Sequence, residues 1–358
     1  MLNGENYYTV DVNSLYPNVM QNNQYPIKYK GIKHNVSIKT LAHYISSNSV
    51  VAKILIETDE PAYAIKRDRT IFPIGCFWTV LTTPELKYAL EHNHIKEIKE
   101  CVIYEQANIF DSYVRTFYNL RRRFESKGNT EYAEFCKKLL NSLYGKFGQK
   151  AEIWEKIGDC AGEIDRTEDC FRSGENHRGA IRYLLGEIFE LKGYEECFDS
   201  FPAIPAHVAA YGRMYIYELM RKAGKGNYFY CDTDSLIINK VGLCNLQSQI
   251  DNVTLGKLKI VSTSKEIIIR GLKDYTIAKK SVIKGIRKNA IEISEGVFTQ
   301  EIWPSFKGLL RSDNANSYVV KTQTKILSRK YTKGDVDKEG NVTPKLLDES
   351  YILEPSFV

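Results

Sequence analysis

The sequence predicts an α+β protein with two or three subdomains. Short β-branched and aromatic runs alternate with segments of helical period, turn signals separate them, and one long chain carries enough apolar residue to bury more than one core. The 358 residues are 43% hydrophobic and 26% charged, which excludes a disordered chain. No apolar run approaches the length of a membrane span, and the polar start Met1–Asn6 has the character of neither a signal nor a transit peptide. The eight cysteines form no Cys-x-x-Cys pair and no zinc or disulfide spacing, so reduced thiols in a cytosol-like compartment fit best.

Residues 7–12 (Tyr-Tyr-Thr-Val-Asp-Val) read as a buried strand that runs into a helical turn at Asn13-Ser14-Leu15-Tyr16-Pro17. Asp11 stands at the strand's end, where an acid either caps the turn or holds a cation. From Lys28 to about Cys101 short mixed segments predict a small α+β insertion, with a strand at 51–57 and a helix opening at Thr83-Pro84-Glu85. Within it, His92 and His94 lack partner ligands at metal spacing. Phe110, Tyr113, Val114, Phe117 and Leu120 recur at three and four residues and predict an amphipathic helix over 109–126, with Arg121-Arg122-Arg123 near its end. A second helix follows over 130–147, on which Lys137, Asn141 and Tyr144 share one edge. That edge is either an ordinary exposed face or one fit to meet a triphosphate, a base and a sugar.

Residues 152–200 are polar and glycine-punctuated, which predicts a second, β-containing insertion. A helix from Pro205 to Ala223, lined with Ala206, Ala209, Ala210 and Gly212, leads through a Gly-Lys-Gly-Asn turn to Tyr228-Phe229-Tyr230-Cys231-Asp232-Thr233-Asp234-Ser235-Leu236-Ile237-Ile238. Apolar runs around Asp-Thr-Asp-Ser predict a β-hairpin with two carboxylates at its tip. Such a tip is a plain turn or a place for Mg2+, a hard cation that takes carboxylate oxygens and completes its shell with phosphate. The net charge is +6, and ten basic residues against two acids between Lys257 and Lys288 form a stripe suited to a phosphate backbone or to a solvated face. The stretch 313–358 reads as another hairpin region with a turn at 337–341.

Three of these stretches lie in one order: Asp11-Val-Asn-Ser-Leu-Tyr16-Pro17, Lys137-x-x-x-Asn141-Ser142-x-Tyr144-Gly145 and Tyr230-x-Asp232-Thr-Asp234-Ser235. Together they resemble the three polymerase motifs of the family B DNA polymerases. The two insertions and Lys273-Asp274-Tyr275, similar to that family's Lys-x-Tyr element, most resemble the protein-primed branch of phages, linear plasmids and organellar or viral relatives. The resemblance implies a right-hand polymerase fold with an antiparallel palm sheet, helical fingers, a small thumb and two insertions. By position the parts would be palm (1–27), an insertion of the terminal-protein-contacting kind (28–105), fingers (106–149), a second insertion of the strand-displacement kind (150–198), palm again (199–262), and palm end with thumb (263–358).

For the chemistry, the resemblance implies that Asp11 and Asp234 bridge two Mg2+ ions, with the Val12 carbonyl as a further ligand, Asp232 in support and Mn2+ able to substitute. Free backbone amides from Val12 through Ser14 to Leu15 would receive the triphosphate of a deoxynucleotide, helped by Lys137 and by Arg122, Arg123 or Lys127. Tyr16 would lie under the sugar and exclude a 2′-hydroxyl; Asn141 and Tyr144 would face the nascent base pair. Tyr230 and Thr233 would touch the primer terminus, and Lys273 with Tyr275 would hold its backbone. Implied partners are template–primer DNA, dNTPs, a terminal priming protein and a separate exonuclease polypeptide, since the family's exonuclease domain lies upstream of the first motif; no membrane is implied. Host cytoplasm or an organellar matrix would be the setting. A non-catalytic nucleic-acid-binding subunit, or a fragment of a split polymerase, is the alternative reading.

Overall fold

A computed structural model describes residues 2–67, 69–163, 165–171, 178–277, 280–283, 285–303, 321–327 and 331–348. Lys279 and Lys284 of the basic stripe, and 313–320 of the C-terminal region, lie outside the described residues. The chain opens with β1 (Leu2–Val12), which turns at Ser14 into α1 (Leu15–Asn22). The segment expected as the first insertion follows as β2 (Tyr25–His34), α2 (Ile38–Ser47), β3 (Ser49–Thr58), the two-residue strands β4 (Ile65–Lys66) and β5 (Thr70–Ile71), β6 (Ile74–Thr82), α3 (Thr83–Glu91) and β7 (Ile95–Ala107). At the start of α3 the Glu85 carboxylate accepts the Thr82 amide at 3.1 Å and Pro84 fixes the first turn, as its sequence predicts. The paired helices α4 (Asp111–Ser126) and α5 (Thr130–Lys146) come next, within a residue or two of the expected bounds.

Beyond them run β8 (Lys150–Asp159), β9 (Arg166–Phe171), β10 (Arg178–Leu184) and β11 (Glu187–Glu196), then α6 (Ala203–Ala223) and the expected hairpin, β12 (Tyr228–Asp232) and β13 (Ser235–Ile238). The remainder is α7 (Lys240–Asn245), the long strand β14 (Leu258–Gly271), β15 (Asp274–Ile277), β16 (Lys280–Ile283), β17 (Ile291–Ser294), β18 (Val297–Ile302), β19 (Lys321–Ile326), β20 (Gly334–Val336), β21 (Val342–Pro344) and β22 (Leu346–Leu347). No helix among the described residues is long and apolar enough to cross a membrane.

The chain divides into two compact units, one of Met1–Phe147, Phe201–Val282 and Lys330–Val358, the other of Gly148–Ser200 and Ile283–Arg329. In the first unit a six-stranded sheet has the order β12-β13-β1-β14-β15-β16, antiparallel in its pairings from β12 to β15. The strand that bears Asp11 is therefore flanked by the strand after the Asp-Thr-Asp turn on one side and by the basic β14 on the other. One face of this sheet supplies Val10, Val12, Leu236, Ile238 and Leu258 to a core shared with Val208, Ile216 and Leu219 of α6.

A five-stranded sheet, β2-β7-β3-β6-β22, holds the strands of the segment expected as the first insertion and has its own core around Ile54, Ile56, Tyr63, Phe77 and Leu81. Its last strand comes from far down the chain: β22 pairs in parallel with β6, and Leu347 is buried in the insertion's core. The C-terminal stretch 263–358 thus divides, part in the six-stranded sheet, part in the second unit, and 331–348 back on the first. Gly75 makes that return possible, because at φ 103° it adopts backbone that other residues avoid and a Cβ there would stand 2.1 Å from the Leu347 carbonyl oxygen. The second unit holds the four-stranded antiparallel sheet β8-β11-β10-β9 and the three-stranded sheet β17-β18-β19.

Candidate active site

A strand's side chains alternate between faces, so burying Val10 and Val12 leaves Asp11 on the opposite face of the sheet. There the ladder places Asp11 between Ser235 of β13 and Lys259 of β14. The hairpin brings the other acids alongside. Asp232 closes β12 opposite Ser235, and the Asp234 amide bonds back to the Asp232 carbonyl at 2.7 Å around Thr233, whose φ is 58°. This is the rarer, strained three-residue turn, and a β-branched residue at positive φ persists only where its surroundings hold it. Here the Thr233 hydroxyl donates to Asp232 Oδ1 at 3.1 Å, and the Asp234 carbonyl accepts the Val12 amide at 2.8 Å, which ties the tip to the end of β1.

Asp11 and Asp234 line a cleft of about 590 Å³ with Val12, Ser14, Leu15, Tyr16, Arg121, Arg122, Lys137, Asn141, Tyr144 and Lys259. Segments far apart in sequence therefore meet at one place. Burial and the neighbouring Asp11 charge push the Asp234 carboxyl up from the usual carboxylate range, against the pull of its own amide and of Lys259. Tyr16 stacks on Tyr144 with centroids 4.7 Å apart and 30° between planes. Burial, then the Tyr144 ring beside it, pushes the Tyr16 hydroxyl up to about 12, so it stays protonated. Gly212 of α6 leaves the room this ring takes: a Cβ there would lie 3.3 Å from Tyr16 Cε1.

The remaining expected residues gather beside the cleft. The Lys273 ammonium is 3.2 Å from Asp232 Oδ1, the Lys273 amide donates to the Tyr230 hydroxyl at 2.8 Å, and the Tyr230 and Tyr275 rings lie 5.1 Å apart. Burial pushes the Tyr230 hydroxyl up to about 12.

Three expectations need correction. Arg123 is exposed and does not line the cleft, nor does Lys127; Arg121 does, with Nη1 donating to Ser14 Oγ at 3.2 Å. The Val12 amide is not free for phosphate, because Asp234 O accepts it, and the next amide, of Asn13, is taken by Lys257 O at 2.8 Å. The expectation then rests on Ser14 and Leu15 at the start of α1. Two further residues shape the site without a signal in the sequence: Asn13, whose Nδ2 reaches Asp251 O at 2.8 Å, and Glu125, which pairs with Arg121 and Arg122 at 2.9 Å each. In the sequence Lys259 is one of a basic stripe; in the fold it lies 3.0 Å from Asp11 Oδ1.

The sequence profile of the family described as DNA polymerase type B, organellar and viral, matches residues 2–170. A probable DNA polymerase of Neurospora intermedia is 27% identical over 293 residues, 76% of this chain and 29% of that one; the DNA-directed DNA polymerase of Enterobacteria phage PRD1 is 25% identical over 274 residues, 75% of this chain and 45% of that one. Over residues 2–170 this chain is similar to the organellar and viral type B DNA polymerases. It spans less than half the length of those relatives. Among solved structures, Phi29 DNA polymerase complexed with primer-template DNA and incoming nucleotide substrates shares the fold at TM-score 0.59 and 16% identity, over 90% of this chain and 58% of that one.

Among the described residues no three His, Cys, Asp or Glu side chains gather as a self-sufficient metal site. The donor set nevertheless suits a hard cation that keeps part of its shell for substrate. Asp11 and Asp234 offer carboxylate oxygen, and the Lys259 ammonium at 3.0 Å marks a spot where positive charge is accepted.

Proposed function

We propose that this chain carries the nucleotidyl-transfer centre of a template-directed DNA polymerase, in which a primer 3′-oxygen bonds to the α-phosphorus of a deoxynucleotide and pyrophosphate leaves. The observation that carries this reading is the convergence of Asp11, Tyr16, Lys137, Asn141, Tyr144 and Asp234 on one cleft. Asp11 and Asp234 would hold divalent metal, Mg2+ or Mn2+, with the Val12 carbonyl beside them and Asp232 in support. The metal, when bound, would supply charge stabilisation to the attacking and leaving oxygens.

The rest is positioning by the chain itself. Arg121, Arg122 and Lys137 present cationic donors to the triphosphate, beside the Ser14 and Leu15 amides. Tyr16, propped by Gly212 and Tyr144, forms the floor under the sugar, where a 2′-hydroxyl would collide with the ring. Asn141 and Tyr144 face the base pair, and Tyr230, Thr233, Lys273 and Tyr275 hold the primer end beside Asp234. The insertion sheet is read as the seat of a priming protein, and the β8–β11 sheet as an aid to strand displacement.

Primer extension by the purified chain with Mg2+ and dNTPs tests this. Asp11→Asn should lower the incorporation rate by roughly three orders of magnitude, several kcal/mol of transition-state stabilisation. Equal extension by parent and variant would remove Asp11 from the centre. Nucleotide found on a protein hydroxyl, when a candidate priming protein is added to linear template, would support protein priming.

A further inference from the structure

The cleft's acids do not stand alone. Asp11 has Lys259 as its direct cross-strand neighbour on β14, with ammonium and carboxylate 3.0 Å apart. Asp232 has Lys273 at 3.2 Å. Asp234, the carboxylate between them, has no ion pair of its own within 4.0 Å among the described residues, while the Lys259 charge pulls on it.

A cation that binds Asp11 meets a site already holding one. The Lys259 side chain is 44% exposed and hangs from a flexible four-carbon stem at the cleft wall, so it can leave without disturbing the ladder. A half-exposed ion pair is a weak one, which suits a contact that must be exchanged. We infer that Lys259 is a resident counter-ion of the acid cluster, one that neutralises Asp11 in the empty cleft and is displaced from it when a divalent cation arrives. The inference rests on reading Asp11 and Asp234 as the cation-holding pair. It makes Lys259 a positioning residue: it ties β14 to β1 at Asp11 before substrate binds, and it sets how much cation the site requires.

Binding of Mn2+ alone to the full chain tests this without reference to turnover. Free Mn2+ is followed by electron paramagnetic resonance at low ionic strength, for the parent and for Lys259→Met, Lys259→Arg, Lys273→Met and Asp11→Asn. Removing a unit charge from contact with the bound ion should tighten Mn2+ binding in Lys259→Met about tenfold. Lys259→Arg, which keeps the charge, should stay within about twofold of the parent. Lys273→Met, which removes an equal charge from Asp232 instead of Asp11, should shift affinity much less.

The metal-free melting temperature of Lys259→Met should fall, and added Mn2+ should raise it by more than in the parent. If Lys259→Met binds Mn2+ no more tightly while Asp11→Asn weakens binding, the counter-ion inference is overturned and the cation-holding pair stands. If Lys259→Met and Lys273→Met tighten binding equally, the effect is a diffuse field and direct exchange is overturned. If Asp11→Asn leaves Mn2+ binding unchanged, the cation-holding pair fails and the inference with it. Should the methionine variant not fold, Lys259→Gln removes the same charge with a polar side chain and faces the same outcomes.

Discussion

Two clusters of titratable side chains stand in the first unit, built to opposite ends. Beside the insertion's core, Tyr88 donates its hydroxyl to Glu60, Tyr63 and His94 share a 2.7 Å hydrogen bond, His92 stacks on Tyr88 at 3.9 Å, and the Arg221 guanidinium lies 5.4 Å over the Tyr88 ring. Burial pushes the Glu60 carboxyl up, but the hydroxyls of Tyr88 and Tyr217 and the Arg221 charge outweigh it, and the net shift is downward. Burial likewise lowers the His94 imidazole and keeps it neutral beside Tyr63. Every group there serves as partner to another. At the end of β1 Asp11 and Asp232 have lysine partners, but Asp234 sits beside both without an ion pair among the described residues, and it is raised where Glu60 is lowered. Polar groups that satisfy one another hold a fold together; groups that the fold leaves in conflict are kept for something that arrives.

The sharpest way to break this contrast is Asp234→Asn. Incorporation should fall by roughly three orders of magnitude while the metal-free protein becomes slightly more stable, by less than about 1 kcal/mol at neutral pH because solvent screens the partly exposed carboxyl. The sign follows from linkage. A carboxyl whose pKa is higher in the fold than in the unfolded chain costs stability when ionised, and that cost disappears as pH falls through the folded value. The variant's advantage in thermal unfolding should therefore shrink as the pH is lowered toward the carboxylate range. A variant less stable than the parent at neutral pH would show that the acids are not in conflict.

Glu60→Gln should do the reverse at smaller scale. Losing a charged acceptor for tyrosine hydroxyls on a partly exposed side chain should cost about 1 kcal/mol, with incorporation per folded molecule unchanged. A carboxyl whose pKa is lowered in the fold contributes stability above its unfolded pKa and loses it as pH falls through the folded one. Parent and variant should then converge in acid, where Asp234→Asn converges with the parent from the other side. If both variants moved stability in one direction, the distinction between the clusters would collapse.

The contrast was half legible in the sequence. The hairpin at 228–238 and the Lys137, Asn141 and Tyr144 edge are short-range patterns of period two and 3.6, set by the chain near each residue. Lys259 escaped notice as Asp11's partner because strand pairing across so long a separation is decided by the whole sheet. The helix period itself favours Arg121 over Arg123: Arg121 lies one heptad from Val114, on the apolar face, and meets Ser14, while Arg123 lies more than half a turn away on α4. The Val12 and Asn13 amides looked free because the segments that take them, at Asp234 and Lys257, join only in three dimensions. The return of Leu346–Leu347 to β6 is of the same kind, a two-residue pairing that leaves almost no local signature.

The smallest expected effect separates shape from charge within the cleft. Gly212 lies inside α6, where alanine would gain up to about 1 kcal/mol of helix propensity. Its added Cβ would stand 3.3 Å from Tyr16 Cε1 and 3.7 Å from Leu15 Cδ2, close enough that the ring must give by a few tenths of an ångström. The two terms oppose, so Gly212→Ala should change stability by less than about 0.5 kcal/mol. The Tyr16 ring has Tyr144 stacked at 4.7 Å, so on the proposed reading it would retreat toward the place proposed for the sugar. Incorporation of ribonucleotides relative to deoxyribonucleotides should then fall a further few-fold, while Mn2+ binding, which depends on the acids, stays as in the parent. Competitive extension with the two nucleotide types reads this directly. Unchanged discrimination would mean that the ring's position is not what the sugar meets, and that selectivity in this cleft rests on its charged groups after all.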